Sequence, residues 1–315
     1  MNIIKYRYLY FAISLLVIIP GILALIFWKL PLGIDFTGGS LLDVQFKSGV
    51  APSVADVTEV YNELSTPSMN IANPEVQPLT TNGVSDGLSI RSREMDDATK
   101  ARVVAALHDR FGGGKDVVIQ NFSQVTASVG AEVARAAAIA VIMASVAILI
   151  YIWFAFRKVQ HPFRFGVAAI IATIHDTLVV LGMGAILGHL LGWQIDSLFL
   201  TALLTVIGFS VHDDIVVFDR IRENANIYRR VTFETVVNHS IVQTMDRSIN
   251  TQLTVMITLL ALALFGGATI HHFVVILLIG VFSGTYSSIF NASPILVVWE
   301  NKEWQNWFGR KPKEA

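Results

Sequence analysis

Apolar residues fill long blocks of this chain, and the polar positions that interrupt them are few enough to take one at a time. The first block covers about residues 8–28, and five more follow at roughly 133–156, 164–189, 195–218, 249–268 and 272–299. Each is long enough to cross a hydrocarbon layer of ~30 Å as a helix. The pattern predicts an α-helical polytopic membrane protein with six transmembrane helices. Lys5 and Arg7 precede the first block, as basic residues precede a secretory signal. That block exceeds the apolar core of about 7–15 residues that signals carry, and it runs into Phe27-Trp28-Lys29-Leu30-Pro31, which is no cleavage site. A retained first span is expected.

Between the first and second blocks the period changes. Residues 40–46 (SLLDVQF) alternate as a strand, and 54–64 have helical spacing after Pro52-Ser53, a capping signal. Residues 75–80 and 88–93 are short strand candidates, with Asn82-Gly83 and Asp86-Gly87 as turns between them. Residues 96–111 place Ala98, Val103, Ala106, Leu107 and Phe111 on a helix that opens with Asp96-Asp97 and ends at Gly112-Gly113-Gly114. Residues 117–122 form a last strand. The order βαββαβ is that of an α+β ferredoxin-like split unit between helices 1 and 2. Four segments are expected: an N-terminal tail with helix 1 (1–32), the α+β domain (33–128), helices 2–6 (129–300) and a C-terminal tail (301–315).

Composition agrees with this reading. The chain is 53% hydrophobic and 15% charged, well below the roughly one quarter typical of soluble domains, and its mean hydropathy is +0.58. A net charge of −1 offers no basic field for nucleic acid. The absence of cysteine removes disulfides, thiolate metal sites and thiol catalysis.

Lysine and arginine in the short loops set the orientation. The 2–3 loop carries Arg157, Lys158 and Arg164, the 4–5 loop carries Arg220, Arg222, Arg229 and Arg230, and the tail carries Lys302, Arg310, Lys311 and Lys313. The 3–4 and 5–6 turns carry none. Both termini are expected in the cytoplasm and the α+β domain outside it, on the periplasmic or extracellular side.

Polar groups inside the spans are the candidate chemistry, since each charge near a bilayer centre costs roughly 2.5–3.5 kcal/mol. His175-Asp176 falls mid-way along span 3, and His212-Asp213-Asp214 lies in span 4. Arg247 and Asn250 enter span 5 at about the depth of Asp213. An arginine beside Asp213 would hold it ionised, and protonation would release the pair, a two-state element that a proton gradient can drive. The competing reading is a static buried ion pair that fixes helix register. Asp219, Arg220, Arg222 and Glu223 read as a solvated helix end with pairs at i±3. Span 6, with Gly280, Gly284, Thr285, Tyr286, Ser287, Ser288, Asn291 and Pro294, faces protein or a hydrated path rather than lipid. His271-His272 has no third ligand candidate nearby, so no metal is expected. No phosphate-loop, G-x-S-x-G or H-E-x-x-H motif occurs, and Gly112-Gly113-Gly114-Lys115 follows a helix where a phosphate loop follows a strand.

Four stretches together carry a resemblance. Gly33-Ile34-Asp35-Phe36-Thr37-Gly38-Gly39, residues 207–224 (IGFSVHDDIVVFDRIREN), 247–254 (RSINTQLT) and 283–294 (SGTYSSIFNASP) are similar to signatures of the SecD/SecF family. Within them Gly33, Asp35, Phe36, Gly38, Gly39, Asp219 and Arg220 stand at signature positions. The resemblance implies a six-span half related to the RND transporters, no enzymatic chemistry and no cofactor. It also implies partners: SecD, the channel proteins SecY, SecE and SecG, YajC, and an emerging preprotein handled by the outer domain. The implied activity is use of the proton motive force to promote late preprotein translocation across the bacterial plasma membrane, with sodium as the less favoured coupling ion. It carries a proton-passage role onto Asp213 and Arg247, with His212, Asp214, His175, Asp176 and Asn250 as further members of a relay. His212 stands where the family pattern has Asn and Asp214 where it has Thr, so the titrating group is shared or shifted. Two other readings compete: a non-transducing assembly subunit, and an RND-like exporter of small molecules or lipids.

Overall fold

The computed structural model describes residues 2–47, 51–67, 69–81, 84–112, 117–157 and 162–303. The expected Asn82-Gly83 turn, Gly113, Gly114, Lys115, Lys158 and the tail beyond 303 lie outside the described residues. Two compact units form, one from Met1–Pro31 with Ala140–Ala315 and the other from Leu32–Ile139.

The smaller unit holds β1 (Gly39–Phe46), α3 (Val54–Leu64), β2 (Glu75–Thr81), β3 (Val84–Ser92), α4 (Asp97–Phe111) and β4 (Val117–Val125). A one-turn helix, α2 (Ile34–Thr37), precedes them. The sheet order is β2-β3-β1-β4 with every neighbour antiparallel, the arrangement that a split βαββαβ chain produces. Alternation does the sorting: Leu42, Val44 and Phe46 of the central β1 are fully buried, and they meet Val57, Val60 and Tyr61 of α3 and Val103 and Leu107 of α4. Pro78 lacks an N–H to give a ladder, and it sits on the edge strand β2. Ser53 caps α3 by accepting from the Asp56 N–H at 3.2 Å, and Asp96 caps α4 by accepting from the Thr99 N–H at 2.8 Å.

The turn between α2 and β1 requires glycine twice. Gly38 has φ +73°, and a Cβ there would lie 2.6 Å from the Ala127 Cα. Gly39 has φ +126°, and its Cβ would lie 2.6 Å from the Ser92 carbonyl oxygen. The paired glycines thus let one backbone turn seat itself between β3 and the start of the following helix.

The larger unit is helical. It contains α1 (Arg7–Phe27), the greater part of α5 (Ala127–Phe156), α6 (Pro162–Leu191), α7 (Ser197–Ile227), α8 (Phe233–Phe265), α9 (Ala268–Ser287) and α10 (Ser293–Glu300), the last two joined by a π-helical turn over Ser288–Ala292. Among the described residues six helical stretches are long and apolar enough to cross a membrane, α9, the π turn and α10 together forming the sixth. Leu9, Leu16, Ile142, Ile150 and Leu264 are exposed, the composition that lipid contact favours. α7 packs against α6, α8 and α9, and about half of its apolar stretch is enclosed. α1 and α6 approach so closely at Gly21 and Gly182 that a Cβ on Gly182 would come within 2.6 Å of the Gly21 Cα. At one end of the bundle Phe156 and Phe165 stack with centroids 5.6 Å apart, and Phe218 meets both edge-on. Arg7 joins Glu303 at 2.7 Å and Glu234 at 3.4 Å, so the first span, the fifth and the end of the sixth share one charge cluster.

Some boundaries differ from the hydropathy reading. α8 begins at Phe233, about four turns before the apolar block at 249, because residues 233–248 are amphipathic: Val236, Val237, Ser240, Ile241, Thr244 and Ser248 bury one face while the other stays polar. α7 likewise continues to Ile227 on a charged face that a hydropathy window discards. The strands β3 and β4 are longer than their apolar cores, and α2 was not expected at all, being a single turn without a periodic signal.

Candidate functional site

The inward face of α7 repeats at helical spacing through Val206, Ser210, Asp213, Asp214, Val217 and Ile221, all buried. Two carboxylates therefore enter the bundle centre because they lie on the same inward stripe as Val206, Val217 and Ile221. α6 supplies His175 and Asp176, α8 supplies Ser248 and Gln252, and α9 supplies Ser283 and Ser287. The last two are one turn apart and face the same way.

Asp176 is wholly buried and saturated. Its Oδ1 accepts from the Ser283 hydroxyl at 2.6 Å and lies 2.9 Å from His175 Nδ1, and its Oδ2 accepts from Ser210 and Ser287, each at 2.6 Å. Three serines from two helices thus converge on one carboxylate. Asp213, 3% exposed, accepts a hydrogen bond from the Gln252 side-chain amide. Asp214 is 0% exposed, and among the described residues neither of its oxygens has a hydrogen-bond partner. Asp176 and Asp213 are its electrostatic neighbours. Ser248 Oγ, Gln252 Oε1 and His175 Nε2 are also buried without a partner. A buried polar atom left unpaired costs about 1–3 kcal/mol, so the bundle centre holds donors and acceptors in excess of what packing requires.

Arg247 does not join this group. Its side chain is exposed and makes no ion pair or hydrogen bond among the described residues, so the expected Asp213–Arg247 pair is absent. Helix phase is the reason: Ser248 and Gln252 occupy the inward face of α8, and Arg247 lies about 100° round from Ser248. His212 and Asn250 are exposed as well, His212 being the electrostatic neighbour of Asp213 on α7's outward side. Asp219 and Arg220 lie further along α7, where Arg222 meets Asp219 and Arg220 meets Glu223, each at 2.5 Å, on a solvated helix end. Of the glycine-rich stretch, Gly33 and Gly39 are buried, Asp35, Phe36 and Gly38 are half-buried, and all belong to the smaller unit. His272 stacks on Trp193 at 4.2 Å, and the described residues contain no group of three ligands able to hold a metal.

Sequence reasoning missed Gln252, Ser210 and Ser283 and placed Ser287 only among the inward-facing polar residues of span 6; these four residues hold the carboxylates. The signal existed in the spacing: Gln252 follows Ser248 by one turn, and Ser283 and Ser287 are an i, i+4 pair in the polar part of span 6.

Residues 105–302 match the family described as "Protein export membrane protein SecD/SecF, C-terminal", and residues 26–50 match the "SecD/SecF GG Motif". Among curated proteins, the chain is similar to the protein translocase subunit SecF of Anaerolinea thermophila, 54% identical over all of this chain and 99% of that one. It is similar also to that of Thermobaculum terrenum, 49% identical over all of this chain and 98% of the relative. The protein translocase subunit SecDF of Bacillus subtilis is 33% identical over 94% of this chain, which spans 38% of that longer protein. In three dimensions the chain is similar to the crystal structure of SecDF, a translocon-associated membrane protein of Thermus thermophilus, with a TM-score of 0.80 and 28% identity over 96% of this chain and 39% of that one.

Proposed function

The chain belongs to the SecD/SecF family of protein export membrane proteins, and on that premise we propose that it is a proton-driven accessory subunit of the Sec protein-export machinery. The observation that carries the coupling is the set of three buried carboxylates, Asp176, Asp213 and Asp214, at the centre of a membrane bundle, each in a different state of hydrogen bonding. Asp176 has four polar neighbours, Asp213 one amide donor and Asp214 none. Moving a proton among them changes which helix donates to which, and therefore the packing of α6, α7, α8 and α9.

The partner is a SecD-type subunit supplying a second set of six spans. Relatives that carry both names in one chain support this, and so does Arg247. An exposed arginine within a span is costly in lipid and is accommodated where another protein or a hydrated path covers it. His212 and Asn250 are exposed with it. The wider assembly is the channel of SecY, SecE and SecG with YajC. Both termini lie in the cytoplasm and residues 33–128 outside it, as the arginine-rich 2–3 and 4–5 loops and the 3–4 and 5–6 turns without lysine or arginine support. The outer domain handles the emerging preprotein.

The test substitutes Asp213→Asn and Arg247→Met separately in membrane vesicles that carry the partner subunit. Gradient-stimulated preprotein export falls to the unstimulated level in both, with membrane insertion retained. Unchanged stimulation in both would sink the transducing reading and leave an assembly role, to which the saturated Asp176 network is also suited.

A further inference from the structure

A cavity of about 400 Å³ opens in the larger unit between α1, α6, α8 and α9, within the size range of sites that hold small molecules. Its wall is almost wholly apolar, made chiefly by Val17, Val179, Met183, Met256 and Phe282. The lining residues lie mid-way along their spans, at 13–17 of Ile4–Phe27, 175–183 of Phe163–Leu191 and 278–286 of Ile270–Glu300. In a layer of ~30 Å that depth is about 15 Å from either head-group region, so a charged or hydrated ligand is excluded and so is a phospholipid head group.

Four polar side chains reach the wall, and three are already engaged. Ser14 donates to Asn291 Oδ1 at 3.0 Å and accepts from Asn291 Nδ2 at 2.8 Å. Ser283 donates to Asp176, and the Tyr286 hydroxyl donates to the Tyr10 carbonyl at 2.7 Å. The fourth is His175, 7% exposed, whose Nε2 is buried and has no partner among the described residues. Its tautomer follows from the other nitrogen. Nδ1 faces Asp176, which already accepts from three serines, so Nδ1 carries the ring hydrogen and Nε2 presents a lone pair. The vacancy in hydrogen bonding is therefore for a donor.

We propose that this cavity binds a membrane-dissolved molecule with a mainly hydrocarbon body and one hydroxyl, a lipophilic alcohol or phenol, whose O–H donates to His175 Nε2. Apolar area supplies the affinity and the single hydroxyl supplies selection. A molecule of equal size with only an acceptor oxygen, such as an ether, leaves Nε2 unpaired and loses its own acceptor's partner. Because His175 also touches Asp176, occupancy of the cavity bears directly on the buried carboxylates.

The full chain in lipid nanodiscs is labelled with a diazirine-bearing decanol and mapped by peptide mass spectrometry. 1-Decanol and decyl methyl ether then compete, each displacement normalised to that at the exposed face of α5 around Ile142 and Ile150. Label is expected on the peptides holding 175–183 and 278–286, with the alcohol displacing it about three- to tenfold better than the ether, the worth of one buried hydrogen bond. His175→Phe should keep the label and erase the preference, and Ile279→Trp, which fills the cavity, should abolish the label. Equal displacement by both competitors in the unaltered chain would mean that water or bulk lipid satisfies the site, and would overturn the proposal. So would labelling no greater than that of α5. The alcohol–ether comparison needs no variant, so it decides the matter even where a substitution fails to fold.

Discussion

Gln252 of α8 donates its side-chain amide to the carboxylate of Asp213 on α7, in the place where charge alone would have put Arg247. The distinction matters for mechanism. A neutral donor holds the carboxylate without adding a charge to the bundle centre, so gain or loss of a proton at Asp213 changes the net charge there rather than exchanging one ion pair for another.

Removing that donor has a foreseeable cost. Gln252→Leu leaves Asp213 buried without a partner and should lower stability by about 1–3 kcal/mol. Thermal unfolding of the purified chain in one detergent, read beside Arg247→Met, provides the measurement. Arg247→Met should be within ~0.5 kcal/mol of the unaltered chain, because its side chain has no acceptor among the described residues. A larger loss in Arg247→Met than in Gln252→Leu would contradict the arrangement.

The serine cradle of Asp176 should behave cooperatively. Ser283→Ala and Ser287→Ala each remove a charge-assisted hydrogen bond, costing roughly 1.5–3 kcal/mol. The two share one acceptor, so their effects in a double-mutant cycle should differ from additivity by more than about 0.5 kcal/mol. Strict additivity would show that the hydroxyls act independently.

Gly38→Ala and Gly39→Ala place a Cβ against backbone atoms at positive φ. Each should destabilise the smaller unit by more than the ~1 kcal/mol that an open left-handed position costs. Faster hydrogen exchange in β1 and β3, with exchange in α6 to α9 unchanged, is the expected signature.

A pH effect is expected at α4. The Asp96 carboxyl is held below its ordinary value of 3.8, first by the Thr99 side chain and then by the Thr99 backbone N–H. A depressed folded-state value means that the cap's contribution is fully present above the unfolded value and is lost as pH falls through the folded one. Hydrogen exchange in the first turn of α4, corrected for intrinsic rates, should therefore accelerate only below about pH 4. In Asp96→Asn that acceleration should be missing.

Deleting residues 40–124 while keeping all six spans should leave membrane insertion intact and remove stimulation of export. Full stimulation without the segment would contradict a role in handling the preprotein.

The legible parts of this molecule are those whose signal is periodic. Alternation at Leu42, Val44 and Phe46 and the caps at Ser53 and Asp96 placed the smaller unit's elements, and apolar length placed the spans. Depth along a span could be read for Asp213 and Arg247, but angle about the helix axis could not, and angle decides contact. Arg247 and Ser248 are adjacent, and that one step carries a side chain from the outside of the bundle to its interior. Hydrogen-bond partners such as Gln252 and Ser287 are marked in the sequence only by their helical spacing, and the assembled neighbours show what they hold.

The π turn at Ser288–Ala292 sets the angular bookkeeping of the last span. One widened turn inserts an extra step of about 100° relative to a straight α-helix, and the Ser293 hydroxyl reaches back five residues to the Ser288 carbonyl at 3.0 Å across it. Everything after it, including the buried Leu296, Val297 and Val298, is therefore clocked differently from Ser283 and Ser287 before it. Excising a single residue there would straighten the span, and the two ends could no longer both face inward. The serines that grip Asp176 and the apolar residues that close the bundle beyond them share one helix only because that turn is out of step.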